Sequence, residues 1–488
     1  MSDVVQKFWG FCHTLRHDGI DYGDYIEQIT YLLFLKMADE RGIDLSRMAA
    51  PADGVALDCS WPALADRQGE ALTQHYNGVL RRLSQQQGLL GDIFTRAASR
   101  FNNPANLKRL IDLIDETRWT TLEIDLKAAV FEGLLEKAAS EGKKGAGQYF
   151  TPRRLIQSIV HCVQPDPRAC PDFAICDPAC GTGGFLVVAY EWLLRGDGAP
   201  RELRGQVRRG TYFGQELVQR PRRLALMNLF LHGLEPEITL ADSIYADPGE
   251  RRFDVVLTNP PFGNKGANQV PRRDDLTVKT SNKQLNFLQH VITLLKPGGR
   301  AAVIVPDNCL FADQAGEVFK VLTQECDLHT VLRLPNGTFT PYSAGTKTNV
   351  VFFTKGPATE TVWVYDARTN VPRITKKDRP LTHAHLAAFE ACYGLDPNGR
   401  SRRAAGDSRE DRWRSFSIAE VRARDFKIDG LKWLKEESLE DELPAPEDLV
   451  AEAIAELENA LTDLNTVNDL LTSSDAEPPR PHAVQGVS

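Results

Sequence analysis

Nowhere do the 488 residues run to the ~18 consecutive apolar side chains that a membrane span needs. Asp3 and Lys7 interrupt the first ten residues, so no signal peptide is expected. Positive charge is not in surplus: 58 Lys and Arg face 66 Asp and Glu, a net charge of −8. That excludes a uniformly basic nucleic-acid coat, though not a basic cleft on an acidic body. The 9 cysteines are odd in number and scattered, without any Cys-x₂-Cys knuckle. Such spacing argues against a disulfide scaffold and fits reduced thiols in the cytoplasm. His161, Cys162, Cys170, Cys176 and Cys180 lie close together, but their spacing does not suit zinc, and no metal is expected. No internal repeat is present.

What remains is an ordinary globular composition, 42% hydrophobic and 25% charged, in a chain about three times the ~150-residue prior for one domain. Two to four domains are expected. The acidity is local, because residues 436–458 carry ten carboxylates and no Lys or Arg. Without that run the chain has a net charge of +2, so its body is free to meet an anion.

Residues 1–140 read as an all-α N-terminal domain. Tyr25, Ile26, Ile29, Leu32, Leu33 and Met37 make a helical stripe, and Leu107-Leu110-Ile111-Ile114 and Val130-Phe131-Leu134-Leu135 repeat the pattern. Glu141 to Gly147 reads as a linker. Residues 141–435 then alternate strand and helix signals: strands at 173–176, 211–213, 253–258, 300–305 and 349–353, helices at 184–194, 221–231 and 286–295. This alternation predicts an α/β fold with a largely parallel, doubly wound Rossmann-like sheet, whose ligands gather at the carboxyl ends of the strands. After about residue 356 the pattern weakens, and the polar stretch from Arg400 to Arg414 reads as loop. Over 436–472 an acidic segment leads into a seam at Val450, Ile454, Leu457, Leu461, Leu464, Asn468 and Leu471, a coiled-coil-like helix of three heptads that needs a partner. Residues 473–488 read as a disordered tail.

Three strand ends carry the chemistry. Asp177-Pro178-Ala179-Cys180-Gly181-Thr182-Gly183-Gly184-Phe185 joins a strand to a helix, where glycines permit a tight turn and close approach of a ligand. No Gly-Lys-Ser/Thr follows, so it is not a P-loop, and a purely structural turn reads equally well at this point. Glu216 ends the next strand, where a carboxylate can accept from two ribose hydroxyls or simply sit solvated in a loop. Asp242 ends the one after, suited to a purine amino group or to an Asx turn. Asn259-Pro260-Pro261-Phe262 closes the strand at 253–258 as a rigid shelf. There the Asn259 and Pro260 carbonyls can each accept one hydrogen of a planar amine, and Phe262 offers a ring for stacking. A plain proline-rich turn explains an aromatic beside a strand-terminal Asn less well.

Together with Gly147-Gln148-Tyr149-Phe150-Thr151-Pro152, these motifs resemble the S-adenosylmethionine-dependent adenine-N6 DNA methyltransferases. The resemblance is to the modification subunits of type I restriction–modification systems, with the gamma-group order of cofactor motifs before the catalytic one. It covers most of the chain, including Asp18 to Asp39 at the front and Asp425 to Leu434 near the end. It implies that Tyr149, Thr151 and Pro152 flank the cofactor's methionine moiety. Asp177, Ala179, Gly181, Thr182 and Gly183 then form the cofactor loop, Glu216 binds ribose, Asp242 lies beside the cofactor adenine, and Asn259, Pro260, Pro261 and Phe262 form the catalytic shelf. The order Tyr149-Phe150 departs from the family, which often shows the two aromatics reversed.

The implied reaction is methylation of adenine N6 in duplex DNA, with the target base flipped out of the stack. No segment is large enough for two target-recognition domains, so a separate specificity subunit is expected, with two modification subunits to each, and a restriction and translocation subunit as a further partner. No membrane partner is expected. Gly263 to Lys283, with Lys265, Arg272, Arg273, Lys279 and Lys283, suits either a loop that orders on DNA phosphates or a solvated surface loop. Seven Arg between Arg201 and Arg223 suit DNA or a helix face. Two other functions compete: an amino-methyltransferase acting on protein glutamine or RNA, and a catalytically silent DNA-binding subunit.

Overall fold

Helix α1, Tyr22–Glu40, is buried on more sides than one stripe requires: Tyr31, Phe34, Leu35 and Ala38 lie inside together with Tyr25, Ile29, Leu32, Leu33 and Met37. A helix that is apolar nearly all round belongs at the centre of its layer, and the helices that follow surround it. They are α2 (Leu45–Met48), α3 (Trp61–Ala65), α4 (Gly69–Ser84), α5 (Leu89–Phe94) and α6 (Pro104–Asp115). Helix α6 begins where Asn103 caps it through Ala105 N at 2.9 Å and Pro104 occupies the first turn; it buries the expected Leu107, Leu110, Ile111 and Ile114.

The computed structural model describes residues 22–49, 56–119, 151–195, 201–262, 269–340, 345–375, 378–403 and 411–435. The expected helix at 130–135, the linker at 141–147, Tyr149, the acidic run, the heptad seam and the tail from 473 all lie outside the described residues. Among the described residues no helix is long and apolar enough to cross a membrane.

Helix α7 (Arg153–Val163) leads into the strand-and-helix region. In chain order there follow β1 (Ile175–Asp177), α8 (Gly184–Arg195), α9 (Arg201–Gln206), β2 (Arg209–Glu216), α10 (Gln219–Leu231), β3 (Glu235–Leu240), β4 (Phe253–Thr258), α11 (Lys283–Leu294) and β5 (Leu295–Pro306). After them come α12 (Asn308–Phe311), α13 (Ala315–Glu325), β6 (Cys326–Arg333), β7 (Thr348–Lys355), β8 (Thr361–Asp366), α14 (Ala384–Tyr393), β9 (Trp413–Ser417) and α15 (Ile418–Arg422).

All nine described strands form one sheet in the order β3-β2-β1-β4-β5-β7-β6-β8-β9. From β3 through β5 every pairing is parallel; β7 then inserts antiparallel between β5 and β6. Beyond β7 the pair β6 and β8 is parallel again and β8 and β9 antiparallel, so five of the eight pairings are parallel and the sheet is largely parallel, with every antiparallel pairing beyond β5. Alternate residues divide between two cores: Val255, Ala302, Ile304, Val350 and Phe352 lie on the side of α7, α8, α10 and α14, while Val256, Val303, Val305, Val351 and Phe353 face α11 and α13. Both faces are covered, as a doubly wound sheet requires.

Beyond residue 356, where the sequence pattern weakens, the chain forms β8, α14 and β9. Of the stretch expected as loop, 404–410 lies outside the described residues, Arg412 just before β9 donates to the carbonyls of Asp366 and Thr369, and Arg414 belongs to β9. Arg403, expected in a loop and not in a core, lies over the rings of Trp413, Tyr393 and Trp363 at 4.8, 5.2 and 5.7 Å. The arginines of α10 serve the fold: Arg222 pairs with Asp92 at 2.9 Å, Arg223 with Glu27, and Arg220 with Asp24 at 3.2 Å. Beside them Phe34 stacks on Phe230 at 5.0 Å, a contact worth about 1 kcal/mol beyond its burial. Helix α10 thus ties the N-terminal helices to the sheet.

Candidate active site

The strand order reverses between β1 and β4, the point in an open sheet where a crevice opens at the carboxyl edge. Asp177 ends β1, and Asn259 follows Thr258, the last residue of β4. The expected cofactor loop and the expected shelf are therefore neighbours across that crevice. A direct bond joins their roots, because Thr258 Oγ1 donates to Asp177 Oδ1 at 2.7 Å.

Asp177 is buried, and the same oxygen accepts from Ala179 N at 3.0 Å. Burial pushes its carboxyl up to about 7, with the Thr258 and Ala179 donors pulling down and the nearby Glu216 pushing up. Beyond Ala179 the backbone turns through Gly181 at φ +53° and Gly183 at φ +80°. A Cβ on Gly181 would meet nothing within 4 Å, so the loop opens onto space there; one on Gly183 would press on Ala225 at 3.3 Å. Gly181 therefore leaves backbone accessible, and Gly183 lets α8 and α10 approach. Thr182 presents its carbonyl to Asn228 Nδ2 at 3.4 Å.

Glu216, at the end of β2, reaches back to this loop: Oε2 accepts from Gly181 N and Oε1 from Val218 N, each at 2.9 Å. Burial raises its pKa, and those amides hold it down. Each oxygen keeps a lone pair that can accept from a ligand hydroxyl. Asp242, just beyond β3, closes an Asx turn in which Oδ1 accepts from Ile244 N at 2.9 Å and Tyr245 N at 3.2 Å. The turn and a ligand role are compatible, since one oxygen makes the turn. Ser243 Oγ of that turn donates to the Pro178 carbonyl, joining it to the glycine loop.

On the shelf, Asn259 Nδ2 donates to Thr151 Oγ1 at 2.9 Å, while Asn259 Oδ1 is buried and accepts no hydrogen bond among the described residues. A buried carbonyl left unpaired costs ~1–3 kcal/mol, so it points to an absent donor. Pro152 sits at the N-cap of α7, accepting from Leu155 N and Ile156 N. The Pro261 carbonyl accepts from Gln284 Nε2 at 3.0 Å, which fastens the shelf to α11. Phe262 meets Phe339 edge to face, with ring centroids 5.5 Å apart.

The structure thus assembles Thr151, Pro152, Asp177, Ala179, Gly181, Thr182, Gly183, Glu216, Asp242 and Asn259 to Phe262 along one edge of the sheet. The sequence reading missed Phe339, Gln284 and the hydroxyl of Thr258. Thr258 is adjacent to a motif and was open to inspection; Phe339 sits in a turn beyond β6, where no local pattern marks it. The arginine expectation changes as well: Arg272 is exposed, but Arg273 is buried and bonded, not poised for phosphate. Among the described residues no group of three or more His, Cys, Asp or Glu is placed to hold a metal ion.

With this geometry in place, the chain was compared with known proteins. A family described as N-6 DNA methylase matches residues 122–442, and one described as HsdM N-terminal domain matches residues 4–114. The methylase subunit of the type I restriction enzyme StySJI of Salmonella typhimurium is 38% identical, over 97% of this chain and 96% of that protein. The crystal structure of the M protein of the type I restriction enzyme EcoKI is 34% identical with a TM-score of 0.54, covering 98% of this chain and 97% of that one. A structure described under complex assembly and conformational transition of the type I R-M system is 27% identical with a TM-score of 0.69, covering 97% and 99%.

Proposed function

We propose that this chain, which belongs to the N-6 DNA methylases and among them to the methylase subunits of type I restriction enzymes, methylates adenine N6 in duplex DNA. It does so as the modification subunit of a complex whose sequence specificity comes from a separate subunit. The observation that carries the reading is Asn259 Oδ1, which lies just past the end of β4 beside the glycine loop, is buried, and has no partner among the described residues, so that it can accept from a planar amine.

The residues fit S-adenosylmethionine. Gly181 opens the loop onto space, and Glu216 lies beside it with acceptor capacity for two ribose hydroxyls. Asp242 lies within the next turn, where its second oxygen suits an exocyclic amine. Asp177, Ala179, Thr182 and Gly183 shape the loop, and Pro152 flanks the methionine side, the role that the family resemblance also gives to Tyr149, which lies outside the described residues. The bound cofactor supplies an activated methyl group.

The chain's own residues prepare the acceptor. Asn259 Oδ1 and the Pro260 carbonyl each accept one hydrogen of the extruded adenine amine, which draws the nitrogen lone pair out of conjugation with the ring. Phe262 stacks on the base, a contact worth ~1–3 kcal/mol. The prolines hold the shelf rigid, so the rate comes from positioning and electrostatics rather than a covalent enzyme adduct. Cys180 is buried in the glycine loop, and burial pushes its thiol well up, which suits a packing residue and not a nucleophile.

The proposed partners are duplex DNA, a specificity subunit bound by two copies of this chain, and a restriction and translocation subunit, with the cytoplasm as the proposed compartment; the likeness to type I methylase subunits and to a type I R-M assembly supports a role in such a complex. The domain division is a helical N-terminal unit over 1–140, the methyltransferase unit over 141–435 and the docking segment over 436–472. Removing residues from 445 onward should abolish assembly with the specificity subunit and leave cofactor binding intact; retained assembly would sink the docking role.

The test is transfer of labelled methyl from S-adenosylmethionine in the co-expressed complex, with the product identified after digestion. Label in N6-methyladenine supports the reading. Label in protein or RNA would replace the substrate, and failure to bind cofactor would favour a silent subunit.

A further inference from the structure

Arg273 has no role in the mechanism above, yet every nitrogen of its guanidinium is hydrogen-bonded close to the site. It is 6% exposed and lies between the shelf and α11 in sequence. Its Nη1 donates to the Ser243 carbonyl at 2.6 Å and, more loosely, to that of Ile244 at 3.4 Å. Nε and Nη2 grip the two oxygens of Asp275 at 3.0 and 2.5 Å, and Nη2 also meets His290 Nδ1 at 3.0 Å. Thr293 of α11 in turn donates to Asp275 Oδ2 at 2.8 Å, so the guanidinium hangs from that helix. Burial pushes His290 down to about 3, leaving a neutral ring that accepts from the arginine.

The carbonyls it grips belong to the Asp242 turn. Asp242 Oδ1 holds the amides of Ile244 and Tyr245, Arg273 holds the carbonyls of Ser243 and Ile244, and Ser243 Oγ ties the turn to Pro178 of the glycine loop. A second tie runs alongside, from Tyr245 Oη to the Gln269 carbonyl at 2.8 Å. A planar fork can hold a carboxylate on one edge and carbonyls on another at once; a lysine ammonium cannot.

We infer that Arg273 is a positioning residue for cofactor binding, acting through the 242–245 turn, and not a contact to DNA phosphate. The inference rests on the proposed reading of Asp242 as the residue beside the cofactor adenine. Without the guanidinium the turn loses its anchor to α11, and the Asp242 carboxylate loses its fixed direction. The arginine makes no demand on the reacting atoms, so its loss moves cofactor affinity and leaves the chemical step.

The experiment measures S-adenosylmethionine affinity by calorimetry, DNA affinity at two salt concentrations, and kcat at saturating cofactor. It uses the full chain co-purified with its specificity subunit, as wild type, Arg273→Gln, Arg273→Lys, Arg272→Gln and Asp242→Ala. Arg273→Gln should weaken cofactor binding about tenfold, with DNA affinity, salt slope and saturated kcat unchanged. Arg273→Lys keeps the charge but should still weaken cofactor binding severalfold, and it decides the matter if the glutamine variant fails to fold. The exposed Arg272→Gln should leave cofactor affinity as it is. Wild-type cofactor affinity in both Arg273 variants, or a reduced salt slope with unchanged cofactor affinity, would overturn the inference. If Asp242→Ala also binds cofactor normally, the reading of Asp242 fails; if that variant alone is weakened, only the role of Arg273 falls.

Discussion

Asn259 and Thr151 share one hydrogen bond, Nδ2 to Oγ1 at 2.9 Å, and it divides the labour of the Asn259 amide. The nitrogen is engaged by the segment that precedes α7, and the oxygen is buried with no partner among the described residues. Thr151 is expected at the cofactor's methionine side, and its hydroxyl also touches Asn259, the side chain proposed for catalysis. Removing that acceptor frees the amide to turn its NH₂ toward the target amine, where donor would face donor.

Thr151→Val should therefore slow single-turnover methyl transfer by about tenfold or more, and Thr151→Ser should restore it, with cofactor affinity within about twofold throughout. A raised dissociation constant for the cofactor with an unchanged saturated rate would return Thr151 to a cofactor contact.

Glu216 accepts amides from both the glycine loop and its own strand end. Glu216→Ala removes the acceptor proposed for ribose and strands Gly181 N–H as well. Cofactor affinity should fall roughly 10- to 100-fold, while affinity for DNA at fixed salt stays near wild type. Equilibrium binding of the two ligands, measured separately, checks this.

Asp177 gives a pH dependence with a definite sign. Its pKa rises from 3.8 to about 7 on folding, chiefly through burial, so the folded state holds a proton that the unfolded chain has released. Stability from this group is full below its unfolded pKa and is lost as pH rises through the folded one. Across that window the loss is about 1.4 kcal/mol per pH unit, flattening above neutrality. Urea unfolding of the cofactor-free chain from pH 5 to pH 8 should show this slope in the wild type relative to Asp177→Asn. Parallel curves for the two proteins would contradict it.

Arg223 is 5% exposed at its side chain and pairs with Glu27 of α1. Arg223→Met leaves a carboxylate poorly compensated against apolar packing, and stability should drop by about 3 kcal/mol. The double variant Arg223→Met, Glu27→Met should recover most of it. The salt dependence of DNA binding should not move; a smaller slope would give the arginine back to DNA.

The parts of this architecture legible in the sequence are those governed by local pattern. Leu107, Leu110, Ile111 and Ile114 mark one face of α6 by spacing alone, and the Gly181–Gly183 turn announces itself because only certain residues bend that way. Strands β8 and β9 were not legible. The polar, arginine-rich approach to Trp413 resembles loop, and only the tertiary fold shows Arg403 lying over three aromatic rings. The same limit hid Arg273. A basic residue after a catalytic motif suggests phosphate, and its burial becomes visible only once Asp275, His290 and the Ser243 carbonyl converge on it. The Thr151–Asn259 bond joins residues 108 positions apart, beyond any spacing rule.

The account's central claim is that Asn259 Oδ1 holds the target amine. The most direct measurement is the single-turnover rate of Asn259→Ala in the assembled complex, at saturating S-adenosylmethionine and with cofactor affinity measured in parallel. The rate of N6-methyladenine formation should fall by roughly 10²–10³-fold or more with cofactor affinity unchanged, the scale of losing one preorganised polar group at a reacting centre. A variant that methylates within a few-fold of wild type would contradict the claim and move the amine to another acceptor.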